Sequence, residues 1–317
     1  MRFIQLLAML ALACAAHAQY PVRPIKIVVP YAAGGLPDTM TRAVSPKLGD
    51  ALGQAVVVEN MGGAGGISGV TEVARSQPDG YTLLVADVGQ IAINPHLFSK
   101  LPYDPMKDLA PVSLIGTSPL YLVAHPSVPA NTLQALVAYA KAHPGKLNYG
   151  SSGIGSIHHL ATEALKAGFG IDIVHVPYKG TGQSVPALLG GQVALLYSAL
   201  PSIAGHLKDG RVKILAISSA RRSPQTPQVP TVAESGIPGY DYLAEIGLLA
   251  PAGTPREIIR RLAGEMAKVV KQADVAQRFT QLGIDPVGSS PEAYAKLNQA
   301  DYEKYAGLVK ASGAKID

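Results

Sequence analysis

Short aliphatic runs alternate with segments of helical spacing through the first third of the chain. Residues 25–29, 55–59 and 81–86 are apolar runs of strand length, and residues 38–52 and 67–75 between them carry apolar side chains at helical intervals. Two successive βαβ units follow from this order, and right-handed crossovers predict one parallel sheet with helices on its faces. The pattern resumes at 147–149, 173–176, 193–197 and 212–217, with helices near 131–142, 156–167 and 183–189, and predicts a second sheet. Nearer the carboxyl end, Thr254-Pro255-Arg256-Glu257 reads as a capping box with proline at the first helical position. Ile258, Ile259, Leu262, Met266, Val269 and Val270 continue it at helical spacing. A last helix is expected after Ser290-Pro291, and its stripe of Tyr294, Leu297, Tyr305, Leu308 and Val309 needs a body to lie against.

Residues 218–242 hold prolines at 224, 227, 230 and 238 with little periodicity, which suits chain passing between domains. Residues 116–119 are the other expected crossing. Two crossings make the first domain discontinuous: residues 19–117 with 238–317 form domain 1, and residues 118–237, return linker included, form domain 2. The expected cleft lies between them.

Composition narrows the classes. The 317 residues are 48% hydrophobic and 15% charged, enough for two ordinary cores and too apolar for a disordered chain. The net charge is +5 and the basic residues are scattered, so no nucleic-acid footprint is present. At the amino end, Arg2 precedes an apolar stretch over 3–16 broken by Gln5, and Ala16-His17-Ala18 matches a signal-peptidase site. A signal peptide over 1–18 and a mature protein exported to the periplasm are expected, since the apolar stretch falls short of the ~20 residues a membrane span needs. The competing reading takes Ala11-Leu12-Ala13-Cys14 as a lipobox with Cys14 lipidated, although leucine is missing three positions before the cysteine. Cys14 is the sole cysteine, which excludes a disulfide framework and a cysteine metal site from the mature chain.

Two loops carry candidate chemistry. The loop after the first strand holds Tyr31, Ala33, Gly34 and Gly35, and it runs into a helix whose free amides attract anions, with Asp38 as the expected cap. An ordinary strand-to-helix turn is the alternative there. The loop over 148–156 repeats the arrangement: Ser151 and Ser152 supply hydroxyls, glycine-spaced amides follow, and Ser156 is the expected cap of a neutral carboxylate cradle. Both loops sit at the carboxyl ends of strands, where parallel sheets bind ligands. Enzyme signals are weaker. Gly150 to Ser156 does not fit a nucleophile elbow. Gly63-Ala64-Gly65-Gly66-Ile67-Ser68 approaches a dinucleotide fingerprint, with Asp87 as its acidic residue, but Ser68 replaces the third glycine and the loop follows the second strand rather than the first. A nicotinamide-dependent oxidoreductase is therefore the lesser alternative. His158, His159 and Glu163 lack a further ligand nearby, so a capped surface helix is expected there; no metal or cofactor is expected.

The stretch from Tyr20-Pro21 through Pro24-Ile25-Lys26-Ile27-Val28-Val29-Pro30-Tyr31, then Gly34-Gly35, Asp38 and Arg42, resembles the Bug-type receptors of the tripartite tricarboxylate transporter family. The resemblance continues through Val58-Glu59-Asn60, Pro78-Asp79-Gly80-Tyr81, Ala92-Ile93-Asn94-Pro95, Leu147 to Gly153, Val176-Pro177-Tyr178-Lys179-Gly180 and Pro230 to Glu234, nearly the whole mature chain. It implies an α/β, two-domain periplasmic binding protein of type II that closes on a small carboxylate, without catalysis. It also implies a membrane permease as partner; a membrane sensor is the alternative recipient, and a monomer is expected. The implied ligand loops fall on Tyr31, Ala33 to Gly35, Asp87, Gln90, Ser151, Ser152, Ser156, Tyr178, Lys179 and Ser198. Thr41, Ala194 and Asp87 depart from the usual pattern. A carboxylate at Asp87 needs a partner, which points to a ligand with an ammonium or another donor, unless Asp87 turns inward onto the amides of Val88 and Gly89.

Overall fold

The computed structural model describes residues 20–316; the expected signal peptide, the cleavage after Ala18 and the Cys14 alternative lie outside them. Strand β1 (Ile25–Val29) leads to helix α1 (Leu36–Leu52), β2 (Val56–Asn60), α2 (Ile67–Ala74) and β3 (Thr82–Ala86). After three short helical segments, Gly89–Ile93, Asn94–Leu97 and Pro105–Asp108, the chain forms β4 (Leu109–Pro119) and β5 (Tyr121–Ala124). Next come α3 (Leu133–Ala142), β6 (Asn148–Ser151), α4 (Ile157–Phe169), β7 (Val174–Pro177), α5 (Thr181–Leu189), β8 (Leu195–Ser198) and β9 (Lys213–Ile217). Strand β10 (Leu243–Pro251), α6 (Arg256–Val269), α7 (Ala273–Gln281), β11 (Asp285–Pro286) and α8 (Pro291–Ser312) complete it.

There are two sheets, and each is mixed rather than parallel. The six-stranded sheet runs β11-β4-β10-β3-β1-β2, with β1 parallel to β2 and β3 as the βαβ units require. The three expected strands are parallel, and the sheet becomes mixed because strand β10, which the spacing did not predict, lies antiparallel to both β3 and β4. The five-stranded sheet runs β7-β6-β8-β5-β9, where β6 is parallel to β7 and β8 while β5 is antiparallel to β8 and β9. Strands β4 and β10 escaped the sequence reading because Pro111, Gly116 and Gly247 interrupt them and covered faces leave no alternation to read.

Each sheet carries its own core. Ile25, Ile27 and Val29 of β1 pack with Met40, Val44 and Leu48 of α1 and with Leu262, Met266 and Val269 of α6. Those α1 side chains recur every fourth position, the period that keeps one helix face on a sheet. In the second lobe, Leu122, Tyr149, Leu195 and Tyr197 pack with Leu136 of α3 and Leu160 and Leu165 of α4. Val88, Ala92, Ile93 and Leu97, which follow β3, join this second core, as do Tyr305 and Val309 of α8. The predicted capping box does not form: Thr254 Oγ1 donates to the Pro251 carbonyl at 2.7 Å, and Pro255 itself precedes the first turn of α6.

The chain crosses between sheets twice. Residues 116–119, expected as linker, are the end of β4, and Leu120 alone separates them from β5. The return through 218–242 contains no named helix or strand. Buried Ser218 ties both crossings: its amide donates to the Leu120 carbonyl at 2.8 Å, its Oγ accepts the Leu120 amide at 2.9 Å, and its carbonyl accepts the Tyr242 amide at 3.0 Å.

Candidate functional site

Three loops meet at the carboxyl ends of β1, β2 and β3. They pack closely because Gly62 and Gly66 lack side chains: a Cβ on Gly62 would stand 2.8 Å from the Ala32 amide, and one on Gly66 would stand 3.0 Å from Pro30. Gly66 also adopts φ +81°, a left-handed value glycine takes without strain. The Gly63 to Ser68 loop is thus a packing loop, whose Gly65 carbonyl accepts from Gln90 Nε2 at 3.2 Å and Asn94 Nδ2 at 3.0 Å.

Asp38 is not the cap of α1. Gly35 occupies that position, and Asp38, two residues into the helix after Leu36, reaches back to accept the Gly34 amide at 2.8 Å. Its other oxygen accepts Arg42 Nε at 2.9 Å and Asn60 Nδ2 at 2.9 Å. These bonds hold its carboxyl below the usual carboxylate range despite burial. The Gly34 amide is therefore committed, and among the described residues Gly35, Leu36 and Asp38 keep amides with no protein acceptor. Ala33 is exposed.

Gln90 is a brace and not a free donor. It is 2% exposed, its Oε1 accepts the Asp87 amide at 3.2 Å, and its Nε2 donates to the Tyr31 hydroxyl at 2.9 Å. Asp87 does turn onto its own loop, accepting the Gly89 amide on Oδ1 at 2.7 Å. Burial pushes the Asp87 carboxyl up, against the Tyr31 hydroxyl and Gly89 amide that stabilise its charge. Burial also raises the Tyr31 phenol well above its ordinary range, with Asp87 adding to the effect.

In the second lobe, neighbouring serines separate. Ser151 is 1% exposed, with its Oγ 2.7 Å from His175 Nε2 and accepting the Gly153 amide at 3.1 Å, so it holds the turn instead of lining open space. Ser152 is half-buried, and its Oγ lies 2.8 Å from His158 Nδ1. Ser156 caps α4 as expected, accepting the His159 amide at 3.3 Å. Among the described residues, the amides of Ser152, Ile154, Ile157 and His158 find no protein acceptor. Tyr178 flanks this loop, its amide donating to the Ser151 carbonyl at 3.1 Å, and Lys179 is exposed. Ser198 is fully buried at the end of β8, where its Oγ donates to the Ala199 carbonyl at 3.4 Å.

The sequence reading missed the histidines. His159 is buried rather than on a surface face, and it stacks on His175 with ring centres 4.0 Å apart; Tyr149 stacks on His175 at 4.8 Å. Burial pushes His158 and His175 down to about 4, so both are neutral near pH 7. Only His175, remote in sequence, completes the group, and no local spacing signals it. No cluster of three or more metal-ligating side chains occurs among the described residues. The two loop systems meet where Gly155 abuts Leu97, since any side chain at Gly155 would overlap the leucine.

Residues 40–314 match the model of the tripartite tricarboxylate transporter family receptor, TctC. The chain belongs to this family. Among its TctC relatives, the protein BugT of Bordetella pertussis is 38% identical over 298 residues, 94% of this chain and 91% of BugT. The structure of R. palustris Rpa4515 with adipate is 32% identical, with a TM-score of 0.86 over 94% of this chain and 100% of that one. MatC from Rhodopseudomonas palustris, with bound malate, is 36% identical with a TM-score of 0.81, covering 92% and 100%. The two mixed sheets are thus those of the two-domain binding-protein fold. This TctC chain is a receptor and not an enzyme, so the oxidoreductase alternative falls.

Proposed function

We propose that this receptor captures a small carboxylate in the periplasm by closing its two lobes, residues 19–117 with 238–317 and residues 118–237, and delivers it as a monomer to membrane permease subunits. The observation that carries the reading is the loop into α4, where four unbonded amides and the Ser152 hydroxyl lie at a helix start whose first turn holds no acid. Such a terminus favours an anion through aligned peptide dipoles and free N–H groups. The relatives bound to adipate and malate support the ligand class. The leader-like residues 1–18 support export, and no described helix is long and apolar enough to cross a membrane. Ser152 and the α4 amides hold one carboxylate, Tyr178 and Lys179 border it, and Tyr31 with Ala33 to Gly35 faces it from the other lobe.

Native mass spectrometry of the mature protein should reveal a co-purified carboxylate. Ser152→Ala removes a hydrogen bond to charge of about 1.5–3 kcal/mol, so affinity should fall about tenfold or more by calorimetry. Unchanged affinity would make the loop a structural turn only.

A further inference from the structure

We propose that the cleft is dipolar and that Asp87 selects its ligand: a carboxylate bearing an ammonium group, with the carboxylate on the α4 cradle and the ammonium on Asp87. The inference rests on the receptor reading above and names the ligand class of that same site.

The turn at 87–89 needs only one acceptor oxygen, which Asp87 supplies through Oδ1 to the Gly89 amide. An asparagine would do the same without placing a charge there. The negative charge therefore has no role within the turn. Among the described residues no cationic side chain acts on Asp87; only the Tyr31 hydroxyl and the Gly89 amide offset its burial. A buried carboxylate without a cation is costly, and a bound ammonium would supply the missing partner.

The two walls differ in the same sense. On the first lobe the α1 helix start already holds the Asp38 carboxylate, which takes the Gly34 amide together with Arg42 and Asn60. The Gln90 amide is spent on Tyr31 and Gly65. On the second lobe the α4 start has no acid in its first turn, and Glu163, further along, is bound to Lys166 at 2.7 Å and to the Tyr149 hydroxyl at 2.6 Å. Lys179 adds positive charge on that side. Asp38 is thus paired with Arg42, which leaves Asp87 as the carboxylate without a cation on the first wall, facing free amides and Lys179 on the second. Val88, adjacent to Asp87, packs in the core that contains Ile157 of α4, so the segment that carries Asp87 borders the second lobe. A plain dicarboxylate would bring a second negative charge toward Asp87, whereas an amino acid matches both ends.

The test is a thermal-shift screen of wild type against the common L-amino acids and their deaminated counterparts, such as glutamate with glutarate and aspartate with succinate, followed by calorimetry on the best pair. The amino-bearing member should bind about tenfold or more tightly than its counterpart. Asp87→Asn keeps the acceptor for Gly89 and removes the charge, so it should collapse that preference by about tenfold while the unliganded melting temperature stays near wild type. Asp87→Ser, which also accepts an amide, should behave alike. Wild-type preference for the plain carboxylates, or equal losses for both classes in Asp87→Asn, would overturn the inference and leave carboxylate capture standing. Binding of neither class would overturn the receptor reading together with it.

Discussion

Ser151 and Ser152 are neighbours with opposite tasks, because successive residues at a strand end point to opposite faces. Ser151 points inward to His175, and Ser152 stays half-buried beside His158. The loop and its Ser156 cap were legible in sequence alone, since glycine spacing and a capping serine are local signals. It could not assign the serines, because the partner that claims Ser151 lies on β7, far along the chain. Ser151→Ala should leave His175 without its hydroxyl and cost about 1–3 kcal/mol of stability. The histidine also sets an acid limb. Its folded-state value is depressed to about 4, so its contribution is present above the ordinary histidine range and is lost as pH falls from about 6.5 through about 4. Melting temperatures across that window should fall less steeply in His175→Gln than in wild type; identical slopes would remove His175 as a cause.

At the scale of elements, β10 and α8 face each other through an acid pair. Burial and the neighbouring Asp301 push the Glu245 carboxyl up to about 9, so the glutamate is protonated at neutral pH and donates toward the aspartate. A raised folded-state value means that this stabilisation is complete below the ordinary glutamate range and is lost as pH rises through about 9. Urea midpoints should therefore decline from pH 5 to 9, and Glu245→Gln, neutral throughout, should flatten that decline. A decline unchanged by the substitution would place its origin elsewhere. Neither element was equally legible beforehand. The α8 stripe and its Ser290 start follow from spacing and capping, and Ser290 does accept the Ala293 amide at 3.2 Å. Strand β10 is recognisable only through its antiparallel partners β3 and β4, contacts that local periodicity does not encode.

At the scale of the whole molecule, closure should bring Gly155 harder against Leu97, the contact that already joins the cradle loop to the segment after β3. Saturating ligand should lower the radius of gyration in small-angle scattering. Gly155→Ala, whose methyl group meets Leu97 at a backbone φ of +74°, should blunt that compaction; full compaction in the variant would show that the lobes close by another route. The alternation of strands and helices revealed two sheets and a proline-rich return, but Ser218 was unremarked because its role depends on Leu120 and Tyr242 arriving together. With both crossings tied at one serine, we expect the lobes to turn about that point when they close. Travel then grows with distance from it. Ser198, paired with Tyr121 one residue from Leu120, should then be a nearly stationary jaw root, while the Ser152 loop should travel farther. A receptor hinged in this way would work as a caliper, turning the length of what it holds into an angle that a docking partner could read from outside.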